Sequence, residues 1–169
     1  VITSIEPLGK HERHAFSSGA AALDDWFRHR AGQDEKRNVA RVFVAVDDLF
    51  GVVGFYSLSS FTLSIADLPD EHAKRLPRYN LVPAALIGRL ARDERVRGQG
   101  VGDLLLADAV RRILSAAGTL AVFAIVVEAK GEQAAAFYRD FGFESFPGRP
   151  LRLFMPASVA EAAVRDSQR

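Results

Sequence analysis

Apolar and polar positions along the chain switch between a period of two and a period near 3.6, and the switches mark the elements. Residues 1–8, VITSIEPL, predict a short strand closed by Pro7. From 17 to 37, Leu23, Trp26, Phe27 and Arg30 recur at spacings of three and four, which predicts a helix capped by Ser17 or Ser18. ARVFVAVDD (40–48) and GVVGFYSLSSFTLSI (51–65) are β-branched and aromatic; the turn between them makes a hairpin. Residues 66–83 hold three prolines and several charges and predict an irregular or short-helical excursion. AALIGRLARDE (84–94) predicts a buried strand, with helix left open by composition alone. Beyond it Leu104, Leu105, Ala109, Val110, Ile113, Leu114 and Ala117 form a helical stripe that Gly118 ends. LAVFAIVVEA (120–129) predicts a buried strand, EQAAAFYRDF (132–141) a short helix ended by Gly142, and LRLFMP (151–156) a last strand. No internal repeat, low-complexity segment or linker interrupts this order.

Strand, helix and strand across 84–129 imply a parallel crossover, whereas the hairpin implies antiparallel pairing. The expected fold class is therefore α/β (or α+β), a mixed sheet with helices on both faces. At 169 residues, 49% apolar and 25% charged, residues 1–169 are expected to form one domain. Lys and Arg number 22 against 21 acids, so net charge argues for neither nucleic acid nor membrane. The absence of cysteine removes thiolate nucleophiles and Cys-ligated zinc, and fits a reducing, cytoplasmic setting. The four histidines show no metal-ligand spacing, so no metal is expected and solvated imidazoles are. No apolar run reaches the ~20 residues of a membrane span, and the N-terminal residues show no signal-peptide pattern.

One stretch does not fit economy of packing. RVRGQGVGDLLL (95–106) places Gly98, Gly100 and Gly102 at the head of a strong helix. Glycine costs conformational entropy, but it lets an anion approach the unpaired amides of a helix N-terminus. A Walker A loop would need Gly-Lys-Ser/Thr where Gly102, Asp103 and Leu104 stand, and a dinucleotide fingerprint would need glycine at 103 or 105. The pattern that fits is Arg/Gln-x-x-Gly-x-Gly/Ala over Arg97, Gly98, Gln99, Gly100, Val101 and Gly102.

Here the chain resembles the GNAT-type N-acetyltransferases, in which this segment cradles the pyrophosphate of acetyl-coenzyme A. AFYRDFGF (136–143) resembles that superfamily's second typical segment, one strand later. The resemblance implies acetyl-CoA as cosubstrate, held by Leu90, Ala91, Arg92 and the loop Arg97, Gly98, Gln99, Gly100, Val101, Gly102 and Asp103, with Arg95 a further phosphate contact. A backbone N–H within Leu90–Arg92 would bind the oxyanion. Tyr138 would be the general acid for the departing sulfur, protonated at neutral pH because a phenol titrates near 10. Its position next to Phe137 predicts that it faces away from the core stripe, with Phe137, Phe141 and Phe143 as packing; a buried tyrosine with its hydroxyl bonded to backbone is the alternative. Glu128 is one candidate base; water is the favoured one.

The first half narrows the resemblance. Phe16, Ser18, Gly19, Leu23, Asp24, Trp26, Arg41, Phe43 and Val44 match in order the N-terminal region of GNAT toxins from bacterial toxin–antitoxin pairs. That implies acetylation of the α-amine of aminoacyl-tRNA, a homodimer, and a ribbon-helix-helix antitoxin. Candidate tRNA contacts are Arg28, Arg30, Lys36, Arg37, Arg41 and Arg89, because phosphate neutralisation carries much of such affinity. The interspersed acids Asp24, Asp25, Asp34, Glu35, Asp93 and Glu94 dilute them. Two other functions remain open on the residues: acetylation of a small amine or protein N-terminus, and non-catalytic acyl-CoA binding.

Overall fold

A computed structural model describes residues 1–76 and 78–167, the last without its side chain, so Pro77 of the predicted excursion lies outside the described residues. The elements run β1 (Ile2–Pro7), α1 (Ala21–His29), α2 (Ala31–Lys36), β2 (Arg41–Asp47), β3 (Gly51–Ser64), α3 (Asp70–Ala73), β4 (Leu81–Arg92), α4 (Val101–Ala116), β5 (Ala124–Glu128), α5 (Glu132–Phe141), β6 (Glu144–Phe146), β7 (Arg149–Pro156) and α6 (Ala157–Ser167). Short 3-10 turns occupy Ile65–Asp67 and Glu94–Val96. The strand order is β1-β2-β3-β4-β5-β7-β6. β4 and β5 are sheet neighbours joined through α4, the crossover that parallel strands require, so the sheet is mixed as expected. The chain divides into two compact units, Val1–Ser59 with Ile87–Ala109, and Ser60–Leu86 with the chain from Val110 onward.

In the first unit β1, β2 and β3 form an antiparallel meander, with Val44 opposite Phe55 and a register shift at Ala45/Val46. Its core is aromatic: Phe27 stacks on Phe55 with centroids 4.1 Å apart, and Phe16 meets both edge-on. The helix predicted over 17–37 is two helices. Arg30 breaks it at φ −120°, which turns Ala31 into the core and brings the Asp34 carboxylate to the Trp26 indole N–H at 2.9 Å. The predicted serine cap is also corrected, because Ala20 is the N-cap residue and offers no side chain. Ser18 instead accepts the Ala20 amide and donates its hydroxyl to Asp24 at 2.6 Å.

In the second unit β7 pairs antiparallel with both β5 and β6, Phe154 lying opposite Val126 and Glu144. Leu63, Val82, Val126, Phe146 and Phe154 belong to its core. β5 is shorter than its predicted 120–129 span. Thr119 and Leu120 both donate their amides to the Ala116 carbonyl, so those residues close the helix rather than enter the strand. β4 begins three residues early, at Leu81, and includes Pro83, whose carbonyl accepts the Phe123 amide at 2.8 Å. β6 and α6 were not anticipated. Three residues show no period, and ASVAEAAVRDS carries too few large apolar side chains to announce a helix.

Candidate active site

The glycine run meets the requirements placed on it. The 3-10 turn ends at Val96, and α4 begins at Val101 with Gly100 as its first carbonyl, accepting the Leu104 amide at 3.1 Å. Gly98 and Gly100 sit at φ +77° and +76°, a region that side-chain-bearing residues avoid. No heavy atom lies within 4 Å of where a Cβ on either would stand, so the approach is open. Among the described residues, the amides of Gly98, Gly100, Val101, Gly102 and Asp103 meet no backbone carbonyl. Five donors at a helix N-terminus form an anion-binding surface suited to the pyrophosphate of acetyl-CoA.

Two residues that sequence reasoning passed over set this loop. Asp93, 1% exposed, ends β4 and accepts from the Arg95 amide (2.9 Å), Arg95 Nε (2.9 Å), Arg95 Nη2 (2.9 Å) and the Ser17 amide (3.1 Å). Burial pushes its carboxyl up, yet the Arg95 and Ser17 donors outweigh that and hold it below the ordinary carboxylate value. The Glu94 amide donates to the Ser17 carbonyl, and Gly19, at φ +89°, leaves room for the Glu94 side chain. Arg95 is thus engaged by Asp93 and rests over the Phe50 ring; Arg97 is the exposed arginine of the loop, with Glu94 at 3.8 Å. The second residue is Gly54 on β3. A Cβ there would stand 2.8 Å from Leu105 Cδ1, 3.3 Å from Val101 Cγ1 and 3.4 Å from the Ala91 carbonyl. Its lack of a side chain lets the first turn of α4 lie against the strand. Leu104, predicted in the buried stripe, is exposed, and Leu106 takes its place.

Of the strand residues expected at the cofactor, Ala91 is buried while Leu90 and Arg92 are half-buried, at the end of β4. Asp103 is exposed in the first turn of α4.

Tyr138 lies in the second unit on α5, and the orientation expected for it is reversed. Tyr138 and Ala135 are the buried residues of this helix, and Phe137 and Phe141 are half-buried. A helix advances about 100° per residue, so adjacency to Phe137 does not by itself say which of the two faces inward. The Tyr138 ring packs against Phe143 and Phe137, and its hydroxyl takes no hydrogen bond among the described residues. Burial pushes the phenol up to about 12. Glu128, the candidate base, is half exposed and ion-paired with Arg152.

The arginines proposed for RNA fall into two groups. Arg28 donates Nη2 to the Phe16 carbonyl, and Arg41 is bound by Glu35 and Asn38, so both serve the fold. Arg30, Lys36 and Arg37 are exposed, and Arg89 lies over the Trp26 ring with Cζ 4.0 Å from its centroid. The histidines are not uniformly solvated. His72 is mostly buried, edge-on to Phe154, with Nε2 3.3 Å from Glu144 and 3.8 Å from Glu71. This trio could offer three donor atoms to a cation, but Glu71 is 70% exposed and the contacts are those of an ordinary ion pair. No helix among the described residues is long and apolar enough to cross a membrane.

Comparison with known proteins agrees with this geometry. Residues 38–145 match the family model described as acetyltransferase (GNAT) domain. The chain is 36% identical over 165 residues to the probable toxin TacT of Sinorhizobium fredii, covering 92% of this chain and 91% of that protein. It is 40% identical over 152 residues to the tRNA-acetylating toxin of Mycobacterium tuberculosis, covering 90% of each. Among solved structures, AtaT complexed with acetyl-methionyl-tRNAfMet superposes with a TM-score of 0.88 at 26% identity, over 95% of this chain and 98% of that one. AtaTR bound with AcCoA gives 0.83 at 27%, over 95% and 97%. A mutant AtaT toxin bound to the C-terminus of the antitoxin AtaR gives 0.82 at 25%, over 95% and 96%. An open amide cradle at the head of α4, a mixed seven-stranded sheet and these matches converge: the chain belongs to the GNAT acetyltransferase family, within its toxin branch, and is an acetyl-CoA-dependent N-acetyltransferase.

Proposed function

We propose that residues 1–169 act as one catalytic domain, the toxin of a toxin–antitoxin pair, which acetylates the α-amine of aminoacyl-tRNA in the cytoplasm and so blocks translation. The observation that carries this is the 40% identity, over 90% of both chains, to a protein named for acetylating tRNA. Acetyl-CoA supplies the acetyl thioester. The amides of Gly98 and Gly100–Asp103, with Arg97, hold its pyrophosphate, and Leu90, Ala91 and Arg92 line it. A backbone N–H within Leu90–Arg92 donates to the carbonyl oxygen as negative charge develops there. Tyr138 Oη donates its proton toward the sulfur as the carbon–sulfur bond breaks; with its pKa raised to about 12 the phenol stays protonated throughout the physiological range. The attacking amine loses its proton to water, since Glu128 is occupied by Arg152. The chemistry runs without a metal, and positioning supplies much of the rate.

The exposed Arg30, Lys36 and Arg37 draw the RNA. The partners in this proposal are a ribbon-helix-helix antitoxin and a second copy of the chain. Antitoxin binding is supported by the AtaT–AtaR neighbour, and the other two features by the sequence resemblance. The test is incubation with labelled acetyl-CoA and total aminoacyl-tRNA. Label enters the RNA fraction and is lost when the tRNA is deacylated first. Label on free amines alone, or none, refutes the acceptor.

A further inference from the structure

We infer that Arg89, held over the Trp26 ring and within the field of Arg30, is the contact for a backbone phosphate at the 3′ end of the tRNA acceptor; this rests on the aminoacyl-tRNA function proposed above. All three residues belong to the first compact unit.

The argument starts from how Arg89 is held. Its backbone amide donates to Ser57 Oγ at 3.1 Å, which ties its place on β4 to β3. Its guanidinium carbon stands 4.0 Å from the Trp26 ring centroid. A guanidinium held over an indole at this distance still has an N–H edge for acceptors beyond the ring. Among the described residues that edge meets none: the guanidinium makes no hydrogen bond or ion pair. Asp34, whose negative charge favours the Arg89 cation, has given Oδ2 to the Trp26 indole N–H at 2.9 Å and acts on Arg89 only through space. Arg30 opposes it with a like charge, and burial pulls the Arg89 pKa down.

A half-buried cation without a direct acceptor is costly, and an arriving anion removes that cost. Arg28, Arg41 and Arg95 show the contrast, since each has its acceptor within the fold. The guanidinium fork takes a carboxylate and a phosphodiester alike, and Arg30 adds a second positive charge for either. The proposed acceptor decides between them, because a charged tRNA carries a phosphodiester at every nucleotide while its α-carboxyl is tied up in the ester. Position agrees. Arg89 precedes Leu90–Arg92, the segment proposed to hold the oxyanion, by one to three residues, roughly 3–10 Å along a strand. A phosphate seated there lies within a nucleotide or so of the reacting ester.

The experiment compares the wild type with Arg89→Met and Arg89→Lys. It measures KM for charged tRNA, the dissociation constant of acetyl-CoA, and the salt dependence of binding to deacylated tRNA. For Arg89→Met, KM for charged tRNA rises about tenfold or more at unchanged acetyl-CoA affinity. The slope of log affinity against log salt falls by about 0.7, the value for one single-strand phosphate. Arg89→Lys keeps the slope but loses the fork, and its KM rises a few-fold; it carries the test if the Met variant does not fold. Unchanged KM and slope in a wild type that acetylates charged tRNA overturn the inference and leave the function standing. A wild type that acetylates no charged tRNA refutes the function itself. Loss of antitoxin binding with RNA affinity intact assigns Arg89 to a protein carboxylate and overturns the inference.

Discussion

Asp93→Asn isolates the clamp beneath the cofactor loop. The side chain is nearly isosteric, but the amide offers one acceptor oxygen where the carboxylate offers two. Its NH2 group would face donors of Arg95 or Ser17. The wild-type pair is a buried carboxylate with a bidentate guanidinium, and the substitution leaves Arg95 as a cation without its counter-charge. Hydrogen bonds to charged groups contribute about 1.5–3 kcal/mol each, and breaking a buried pair costs about 3–5 kcal/mol. Arg95 retains some solvent, since its side chain is 35% exposed, so the expected loss is about 2–4 kcal/mol. For a chain of this size that lowers Tm by roughly 4–16 °C. The pH dependence gives an independent check. The folded Asp93 pKa lies below its ordinary value near 3.9, so its stabilisation is complete above that value and fades as pH falls through it toward the depressed one. Urea unfolding at pH 7 should show the full deficit, and a series down to pH 3 should show wild type and variant converging. A deficit under about 1 kcal/mol at pH 7 would refute the clamp. So would a deficit that stays constant into acid.

Two further outcomes follow from the same geometry. Tyr138→Phe removes an oxygen that has no protein hydrogen-bond partner among the described residues, so stability stays within about 0.5 kcal/mol while turnover falls roughly 10²–10⁴-fold at unchanged acetyl-CoA affinity. The wild-type rate should show no loss from Tyr138 ionisation below about pH 11, and normal turnover in the Phe variant takes this residue out of the mechanism. Gly54→Ala drives a methyl into Leu105 and Val101, costing about 1–3 kcal/mol and weakening acetyl-CoA through the displaced head of α4. Adding Leu105→Ala should cost less than the sum of the two single changes, and strict additivity in a double-mutant cycle counts against direct contact.

What could be read in advance followed from local causes. The β-branched and aromatic runs placed β2 and β3, and the glycines marked an open helix entrance; the structure adds that Gly98 and Gly100 sit at positive φ, which few other residues tolerate. Alternation and backbone stereochemistry act over a few residues, so the letters alone carry them. The break at Arg30 was hidden because no glycine or proline marks it; it shows only in the packing it allows, with Ala31 in the core and Asp34 on the Trp26 indole N–H. Leu104 was misplaced because a helix with apolar residues at 104, 105 and 106 can present any two of them, and contact with Gly54 selects Leu105.

For the site, the amino-acid sequence indicated a bare helix entrance, since glycines at the head of a helix leave its unpaired amides uncovered by side chains. Only the tertiary structure sorted the arginines. Arg28, Arg41, Arg89, Arg95 and Arg97 were all candidate anion contacts in the sequence, the first three for tRNA and the last two for pyrophosphate. Folding gave Phe16, Glu35 and Asp93 to three of them, an indole face to the fourth, and solvent to the last. A charge is defined by what it meets: Trp26 lies far along the chain from Arg89, and even the near neighbours Asp93 and Glu35 become partners only once folding has set their direction. That is why Asp93, one more acid in the sequence, became the buried carboxylate that holds Arg95 and Ser17 at the start of the glycine loop.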